Sequence, residues 1–186
     1  MVFELIKKNR SYRRFDASHE LSYELLTSFI ESARFTPSGA NLQRLRFTIV
    51  NEKLACDEIF PALKFAGYLK EWTGPAVSER PASYVIISSE SELDTLLAID
   101  LGIAAEAILL TACEAGVGGC MIRSFAPEVI KARIPSGNQI PHMVIALGYP
   151  AEKVILTDSK SGDIKYYRDE NDDHVVPKLP LDELIL

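Results

Sequence analysis

Cysteine and histidine are scarce in this chain. It has three of each: Cys56, Cys113, Cys120, His19, His142 and His174. The cysteines are odd in number and form no CxxC pair, so we expect reduced thiols in a cytoplasmic protein. The histidines lie far apart and form no HxxxH or Cys/His cluster. A metal site is therefore not expected.

Long apolar runs and an excess of positive charge are also missing. No stretch reaches the ~18 uninterrupted apolar residues of a membrane span; the most apolar region, 99–115, is interrupted by Asp100, Glu106 and Glu114. The apolar start of the chain is too short for a signal peptide. A net charge of −6 argues against a nucleic-acid partner. With 186 residues, one soluble domain is expected.

Motifs of familiar catalytic sites are absent as well. The sequence has no GxSxG elbow and no P-loop. The glycines at 116, 118 and 119 do not form a GxGxxG fingerprint, because Met121 stands where glycine is required. No side chain stands out as a nucleophile or general base, which is expected where a cofactor carries the chemistry.

One basic stretch stands out in this acidic protein. Residues 7–15 contain five Lys or Arg and no acid, and they follow a predicted helix over 2–8. A solvated helix end is one interpretation, since cations are favourable near a helix C-terminus. An anion site is the other, because guanidinium groups bind phosphate through paired hydrogen bonds.

Hydrophobic patterns predict a coarse order of helices and strands. A second helix begins after Ser22 as N-cap and carries a stripe of Leu21, Leu25, Phe29 and Ala33. The remaining predicted helices cover 53–65, complicated by Pro61, then 93–115 and 127–132. Strands are predicted over 45–50, 82–88, the residues that follow the glycine turn 116–119, and 143–147.

Three segments have a composition that secondary structure alone does not explain. The loop 36–43 is rich in turn formers and hydrogen-bonding side chains, and it is either a plain connection or a ligand loop. The helix over 93–115 has almost no polar face, so we expect burial nearly all round, half of it by a second subunit. The polar tail 151–186 cannot form its own core and must lie on its own subunit or on a partner.

Taken in order, these segments resemble the nitroreductase-like, FMN-dependent oxidoreductase family. The run from Arg10 to Phe15 is similar to its Arg-Ser-x-Arg-x-Phe signature, and that from Pro37 to Gln43 to its Pro-Ser-x-x-Asn-x-Gln motif. The long helix with its glycine turn, the Leu-Gly-Tyr-Pro strand end at 147–150 and the tail segment 176–181 also match. The resemblance covers nearly the whole chain.

The resemblance implies an α+β fold with a central, mostly antiparallel mixed sheet flanked by helices. Residues 1–150 would be the FMN-binding core, and residues 151–186 would wrap the partner subunit of a homodimer with two FMN molecules at its interface. Three groups of FMN contacts are implied. They are Arg10, Ser11, Arg13 and Lys178 at the phosphate; Pro37, Ser38, Asn41 and Gln43 at the ring or ribityl oxygens; and the backbone of Gly119, Cys120 and Met121 at the ring edge.

The implied activity is an NAD(P)H oxidoreductase that passes hydride through flavin N5 to a small acceptor such as a nitroaromatic or quinone. An ene-reduction, a reductive dehalogenation and a non-catalytic flavin-binding or interaction module are the alternatives. The sequence shows no clear set of arginines for the 2′-phosphate that distinguishes NADPH from NADH, so the electron donor is not predicted. The chain departs from the family pattern at four places: Asn9, Arg44 with Leu45, Ala107, and Leu179. Two of them remove polarity at the phosphate and are expected to weaken FMN binding, and the change at Arg44 and Leu45 alters the wall near the site.

Overall fold

The computed structural model describes residues 1–160 and 162–186. Its α-helices are α1 (Val2–Lys8), α2 (Tyr23–Arg34), α3 (Lys53–Ile59), α4 (Thr95–Glu114), α5 (Pro127–Lys131) and α6 (Leu181–Leu184). Its strands are β1 (Arg46–Val50), β2 (Ser83–Ser89), β3 (Gly118–Ile122), β4 (Ile140–Gly148), β5 (Val154–Asp158), β6 (Tyr167–Arg168) and β7 (His174–Lys178).

The central sheet has the strand order β1-β2-β4-β3 and is antiparallel throughout. Its inner strands pair with Val85 opposite Ile145, and every residue of β2 is buried. One face packs against α2 and α4, while residues of α3 and α5 cover the other. Burial on both faces explains why the β2 sequence is apolar without strict alternation. The predicted α+β class, with a helix-flanked antiparallel sheet, is confirmed.

Local sequence signals explain where α2 and α3 begin or end. The Ser22 hydroxyl caps α2 by accepting from Leu25 N at 3.1 Å, as predicted. The buried side chains of α2 include Leu26, with Leu25 half-buried, so the stripe is turned slightly from the predicted one. α3 stops at Ile59, earlier than predicted, because Pro61 lacks the N–H that would continue the helix.

The long helix α4 is capped by Asp94, whose carboxylate accepts from Leu97 N at 2.8 Å. One side of the helix is deeply buried, but Leu96, Ile99 and Ile103 on the other are 48%, 54% and 37% exposed. The expected burial all round is therefore not found within one chain. By length and apolarity α4 could cross a membrane, yet half of its most apolar window is buried in the protein's own core, as in core helices of soluble proteins.

The tail forms a second, three-stranded sheet with the order β5-β7-β6, in which β5 and β7 are parallel. The sequence analysis predicts no strands here. Backbone pairing satisfies the peptide groups without a large apolar core, and within the sheet only His174 and Val175 are buried. This tail sheet lies against the basic stretch of its own chain.

Candidate functional site

The basic stretch leaves α1 and runs beside β3. Ser11 forms a parallel bridge with Gly119, and Tyr12 N donates to Gly119 O at 3.0 Å. Further along, Asp16 N donates to Tyr149 O at 2.8 Å. Segments more than a hundred residues apart in the sequence are therefore joined backbone to backbone. This joining brings Arg10 and Ser11 to the residues predicted for the ring edge.

Two glycines of β3 permit close packing, Gly118 against the basic stretch and Gly119 against α4 and β4. A Cβ added to Gly119 would lie 2.4 Å from Leu109 Cδ2 and 2.9 Å from Ala146 O, and one added to Gly118 would lie 2.5 Å from Tyr12 Cδ2. These distances are shorter than van der Waals contact. Gly118 therefore lets the basic stretch pack on β3, and Gly119 lets β3 lie close to Leu109 of α4.

A buried carboxylate fixes the basic stretch from the other side. Glu152 Oε1 accepts from the backbone N–H of both Arg13 and Arg14, the latter at 3.0 Å. Its Oε2 accepts from Arg168 Nη2 at 2.6 Å, and the two side chains are only 2% and 12% exposed. Glu152 is not among the predicted site residues, because the sequence patterns identify the tail only as a polar segment without its own core. Its position two residues after the Leu-Gly-Tyr-Pro strand end was the available signal.

A cavity of about 190 Å³ opens beside this anchored stretch. Its walls include Arg10, Ser11 and Met121, with Asn9 and Glu106 joined by a 3.0 Å hydrogen bond. Arg10 Nη2 donates to Ile6 O at 2.7 Å, whereas its buried Nε has no partner among the described residues. The neighbouring strand residues Gly119 and Cys120 are buried. We call the group Arg10, Ser11, Gly119, Cys120 and Met121 the anchored half-site.

Arg13 lies elsewhere, under the tail sheet. Its Nη1 is 2.9 Å from His174 Nε2, and its guanidinium carbon lies 4.7 Å from the centre of the Tyr166 ring. Arginine only donates, so Nε2 accepts and Nδ1 carries the proton. Burial, with Arg13 as the second cause, lowers the pKa of His174 to about 4. The sequence analysis did not single out His174 or Tyr166, and the predicted phosphate contact of Arg13 stays a prediction.

The second predicted group, Pro37, Ser38, Asn41 and Gln43, forms a loop around the short 3₁₀ turn Gly39–Asn41. Ala40, Asn41 and Gln43 all have left-handed φ values, of 50°, 55° and 49°. Ser38 Oγ accepts from Gln43 N at 3.2 Å, and Gln43 Nε2 donates to Asn41 Oδ1 at 3.1 Å. Consecutive left-handed residues store strain, which tends to cluster at ligand-binding segments. We call this loop the strained half-site.

The strained half-site borders a different cavity, of about 260 Å³, lying between α2, β1 and α4. Ser38 and Gln43 line it, as do Asp100 of α4 and Leu45, one of the departures from the family pattern. At its edge Arg44 forms a two-pronged ion pair with Asp94 at 2.6 and 3.0 Å. This hydrogen bonding lowers the pKa of Asp94 to about 2. Asp100 was not among the predicted site residues.

Lys178 ends β7, and its side chain is exposed. Its carbonyl accepts from Ser159 N at 2.7 Å, which ties this end of β7 to the residue after β5. A single chain therefore gathers the anchored half-site at one cavity and the strained half-site at another. The side chains of Arg13 and Lys178 are not part of either group.

Comparison with known proteins gives this arrangement a context. The model of the nitroreductase family matches residues 6–149. A protein of Methanothermobacter thermautotrophicus, named "Putative NADH dehydrogenase/NAD(P)H nitroreductase", is 29% identical over 160 residues, 81% of this chain and 78% of that protein.

Solved structures show the same fold. A nitroreductase family protein of Streptococcus pneumoniae TIGR4 superposes with a TM-score of 0.71 at 18% identity, covering 100% of this chain and 99% of that one. A nitroreductase of Bacteroides fragilis with bound FMN gives 0.66 at 26% identity, covering 88% and 96%. The FMN-dependent nitroreductase NfnB of Mycobacterium smegmatis, in complex with NADPH, gives 0.65 at 19%, covering 81% and 87%. Because the family model spans more than three quarters of the sequence, this chain belongs to the nitroreductase family.

Proposed function

We propose that this chain is a cytoplasmic, FMN-dependent NAD(P)H oxidoreductase that acts as a homodimer on a small acceptor such as a nitroaromatic or quinone. The observation that carries the proposal is the anchored half-site. Arg10 and Ser11 are held against the glycine backbone of β3 at one cavity. Family membership and the relatives named for FMN and NAD(P)H support the same conclusion.

The residues of the anchored half-site fit FMN. The Arg10 guanidinium has a buried Nε without a partner among the described residues, and the neighbouring Ser11 is exposed. Together they offer the charged and neutral donors that a phosphate needs. The absence of a Cβ at Gly119 leaves strand backbone as the surface toward a planar ring. Each charge-assisted hydrogen bond contributes about 1.5–3 kcal/mol.

Bound FMN would supply the hydride-accepting and hydride-donating atom, N5, so that donor and acceptor react in turn. The protein's part is binding and orientation. Arg10, Ser11 and Lys178 hold the phosphate end in this proposal, and the backbone of residues 119–121 borders the ring edge. The Cys120 thiol does not serve as a nucleophile, because burial raises its pKa and keeps it protonated.

A dimer accounts for the separation of the two half-sites. Leu96, Ile99 and Ile103 form an exposed apolar stripe on α4, close to the strained half-site, where Leu96 Cδ2 is 3.2 Å from a Cβ built on Gly39. Pairing α4 with its copy would bury this stripe. In the proposed dimer, the strained half-site of one subunit faces the anchored half-site of its partner.

The end of the chain supports the proposed contact of residues 151–186 with the partner. Leu181, Leu184 and Ile185 are each more than 60% exposed. The tail sheet itself lies on its own subunit, so the part that we propose reaches the partner is the segment beyond β7. Burying these side chains across the interface would contribute roughly 25 cal/mol for each Å² of apolar surface covered.

Absorption spectroscopy tests the proposal. The full chain is loaded with excess FMN, desalted, and titrated anaerobically with NADH and NADPH. We expect retained flavin bands near ~370 and ~450 nm that one or both donors bleach, and that an added quinone or nitroaromatic restores. A loaded protein that neither donor reduces would contradict the oxidoreductase.

A matched pair of variants tests the phosphate site. Arg10→Ala should weaken FMN binding by about 10–100-fold, because it removes a charged donor. Lys8→Ala removes a neighbouring, exposed cation outside the half-site and should leave the dissociation constant within about twofold of the wild type. Equal effects of the two substitutions would mean that only net charge matters and that the assigned site is wrong.

Sedimentation equilibrium tests the dimer. Ile99→Glu places a charge in the α4 stripe and should convert a dimer to monomers that retain little FMN. Val129→Glu, at an exposed apolar position of α5, is the control and should leave the dimer intact. A wild-type monomer that binds FMN tightly would overturn the proposed interface.

A further inference from the structure

The cavity of about 260 Å³ between α2, β1 and α4 contains an unsatisfied buried acid, and we call it the Asp100 cavity. Asp100 is only 3% exposed. Its Oδ1 accepts from Gly39 N at 2.8 Å, while Oδ2 is buried without a hydrogen-bond partner among the described residues. Such an oxygen is costly to leave unpaired. A ligand that donates a hydrogen bond would satisfy it.

The walls of the Asp100 cavity are apolar and suited to a single ring. They include Ile30, Phe47 and Ala104, of which Ala104 is buried in the main core. A volume of about 260 Å³ lies just below the roughly 300–1,000 Å³ of ordinary small-molecule pockets. The space therefore fits one substituted aromatic ring and not a dinucleotide.

Three arginines also line the Asp100 cavity, and they differ in what they bind. Arg34 pairs with Glu31, and Arg44 pairs with Asp94. Arg46 pairs with no carboxylate within residues 1–160 and 162–186; its Nη1 donates to Gln43 O and Leu45 O at 2.9 and 2.8 Å. Its remaining guanidinium donors are therefore the ones available to an anion.

We propose that the Asp100 cavity binds a small aromatic carboxylate that carries a hydroxyl or amino group on the ring. The carboxylate contacts Arg46, the ring lies on Ile30 and Phe47, and the ring substituent donates to Asp100 Oδ2. The site is separate from the anchored half-site of the same chain, but Ser38 and Gln43 of the strained half-site, which we propose contact FMN across the dimer, also line it. It gives the family member a recognition site for an acidic aromatic compound next to its strained half-site.

Binding of three probes to the full chain tests the ligand chemistry. Isothermal titration calorimetry compares 4-hydroxybenzoate, 4-aminobenzoate and 4-formylbenzoate, each with and without FMN loading. The hydroxy and amino probes should bind at least about tenfold tighter than the formyl probe, which can only accept at that position. Failure of all three probes to bind, or loss of their binding when FMN is loaded, would overturn a separate site.

The variant Asp100→Asn replaces the unpaired acceptor Oδ2 by a hydrogen-bond donor. Gly39 N still needs an acceptor, so the amide oxygen stays there and the NH₂ group replaces Oδ2 in the cavity. The preference should then invert between the donor and acceptor probes, with 4-formylbenzoate binding at least about tenfold tighter than 4-aminobenzoate, while the hydroxyl of 4-hydroxybenzoate can still accept from the amide. A purely structural role of Asp100 would weaken all probes equally, and that result would contradict the proposal.

Two further variants keep the proposal testable if Asp100→Asn does not fold. Arg46→Gln should weaken all three probes by the same factor, because they share the carboxylate, whereas Lys131→Gln on α5 should not affect them. Leu45→Trp fills the cavity from a half-buried wall position and should abolish binding of every probe. Unchanged binding in Leu45→Trp would place the ligand elsewhere and refute the assignment.

Discussion

The two half-sites of this protein are built in opposite ways. The anchored half-site is held by partners far away in the sequence: β3, Tyr149 and Glu152 all contact the stretch 11–16. The strained half-site is held mainly by its own side chains, Ser38 and Asn41, with one long-range hydrogen bond to Asp100. The difference indicates a fixed binding surface on one side and an adjustable loop on the other.

The anchored half-site should therefore be the more sensitive to single changes, and Glu152→Ala should have the largest effect. It removes a buried acceptor and leaves two backbone donors and Nη2 of Arg168 without their partner, although Arg168 Nη1 keeps its bond to Asp172 O. We expect a loss of about 3–5 kcal/mol in the free energy of unfolding, measured by urea titration.

Glu31→Ala is the matched control, because it removes a carboxylate of an exposed ion pair on α2. Its stability should stay close to that of the wild type. Comparable losses in the two variants would show that the basic stretch is not held by Glu152, and the comparison between the half-sites would fail.

Low pH should reduce the free energy of unfolding through protonation of His174, which contacts Arg13 of the basic stretch. Its pKa of about 4 lies below the ordinary value of 6.5, so the unfolded chain binds the proton more readily than the folded one. The stabilising contribution is complete above pH 6.5 and is lost as the pH falls toward 4, by up to about 3 kcal/mol.

Urea titrations at several pH values would measure this loss. In His174→Gln the stability should decline less over the same pH range, because no imidazole is left to protonate beside Arg13. A wild type and a variant with parallel pH profiles would show that His174 is not held in its neutral form by the fold.

What the sequence could predict follows the same division between local and long-range contacts. The Ser22 cap, the buried strand β2 and the glycine turn are visible in short windows, and all three are found where the patterns place them. Glu152 and His174 were missed because their partners lie 138 to 161 residues away. The tail strands were missed because backbone pairing, not apolar periodicity, forms them.

The strained half-site was identified by its motif, but its conformation was not. Nothing in the residues Ala40 and Gln43 favours left-handed φ values, which glycine and asparagine adopt more readily. The cavity next to it was likewise hidden, because an unpaired oxygen on Asp100 depends on the packing of α4 against the loop. Residue types predicted the chemistry here, and tertiary packing decided the geometry.

An intermediate effect is expected at Gly119, the β3 residue whose backbone is bridged to Ser11. Gly119→Ala places a Cβ 2.9 Å from the Ala146 carbonyl oxygen, which the sheet cannot easily move. Overpacking of this kind should lower the free energy of unfolding by about 1–3 kcal/mol.

Gly137→Ala is the control for that substitution, since a Cβ there meets no atom within 4 Å. Its stability should be unchanged or raised by up to about 1 kcal/mol, because alanine restricts the unfolded chain. If both variants were equally stable, the close packing of β3 around Gly119 would not require glycine.

The smallest expected effect, and one of opposite sign, lies in the strained half-site. Ala40 has a φ of 50°, where a Cβ costs roughly 1–2 kcal/mol. Ala40→Gly should remove that strain and, after the greater entropy of the unfolded glycine chain, raise the free energy of unfolding by about 0.5 kcal/mol. Ala132→Gly, at an ordinary φ of −62°, should instead lower it by about 0.5–1 kcal/mol. Opposite signs in the two titrations would establish that the loop stores strain that an ordinary helix end does not. Equal losses would mean that the loop conformation is unstrained and that the half-sites differ only in their partners.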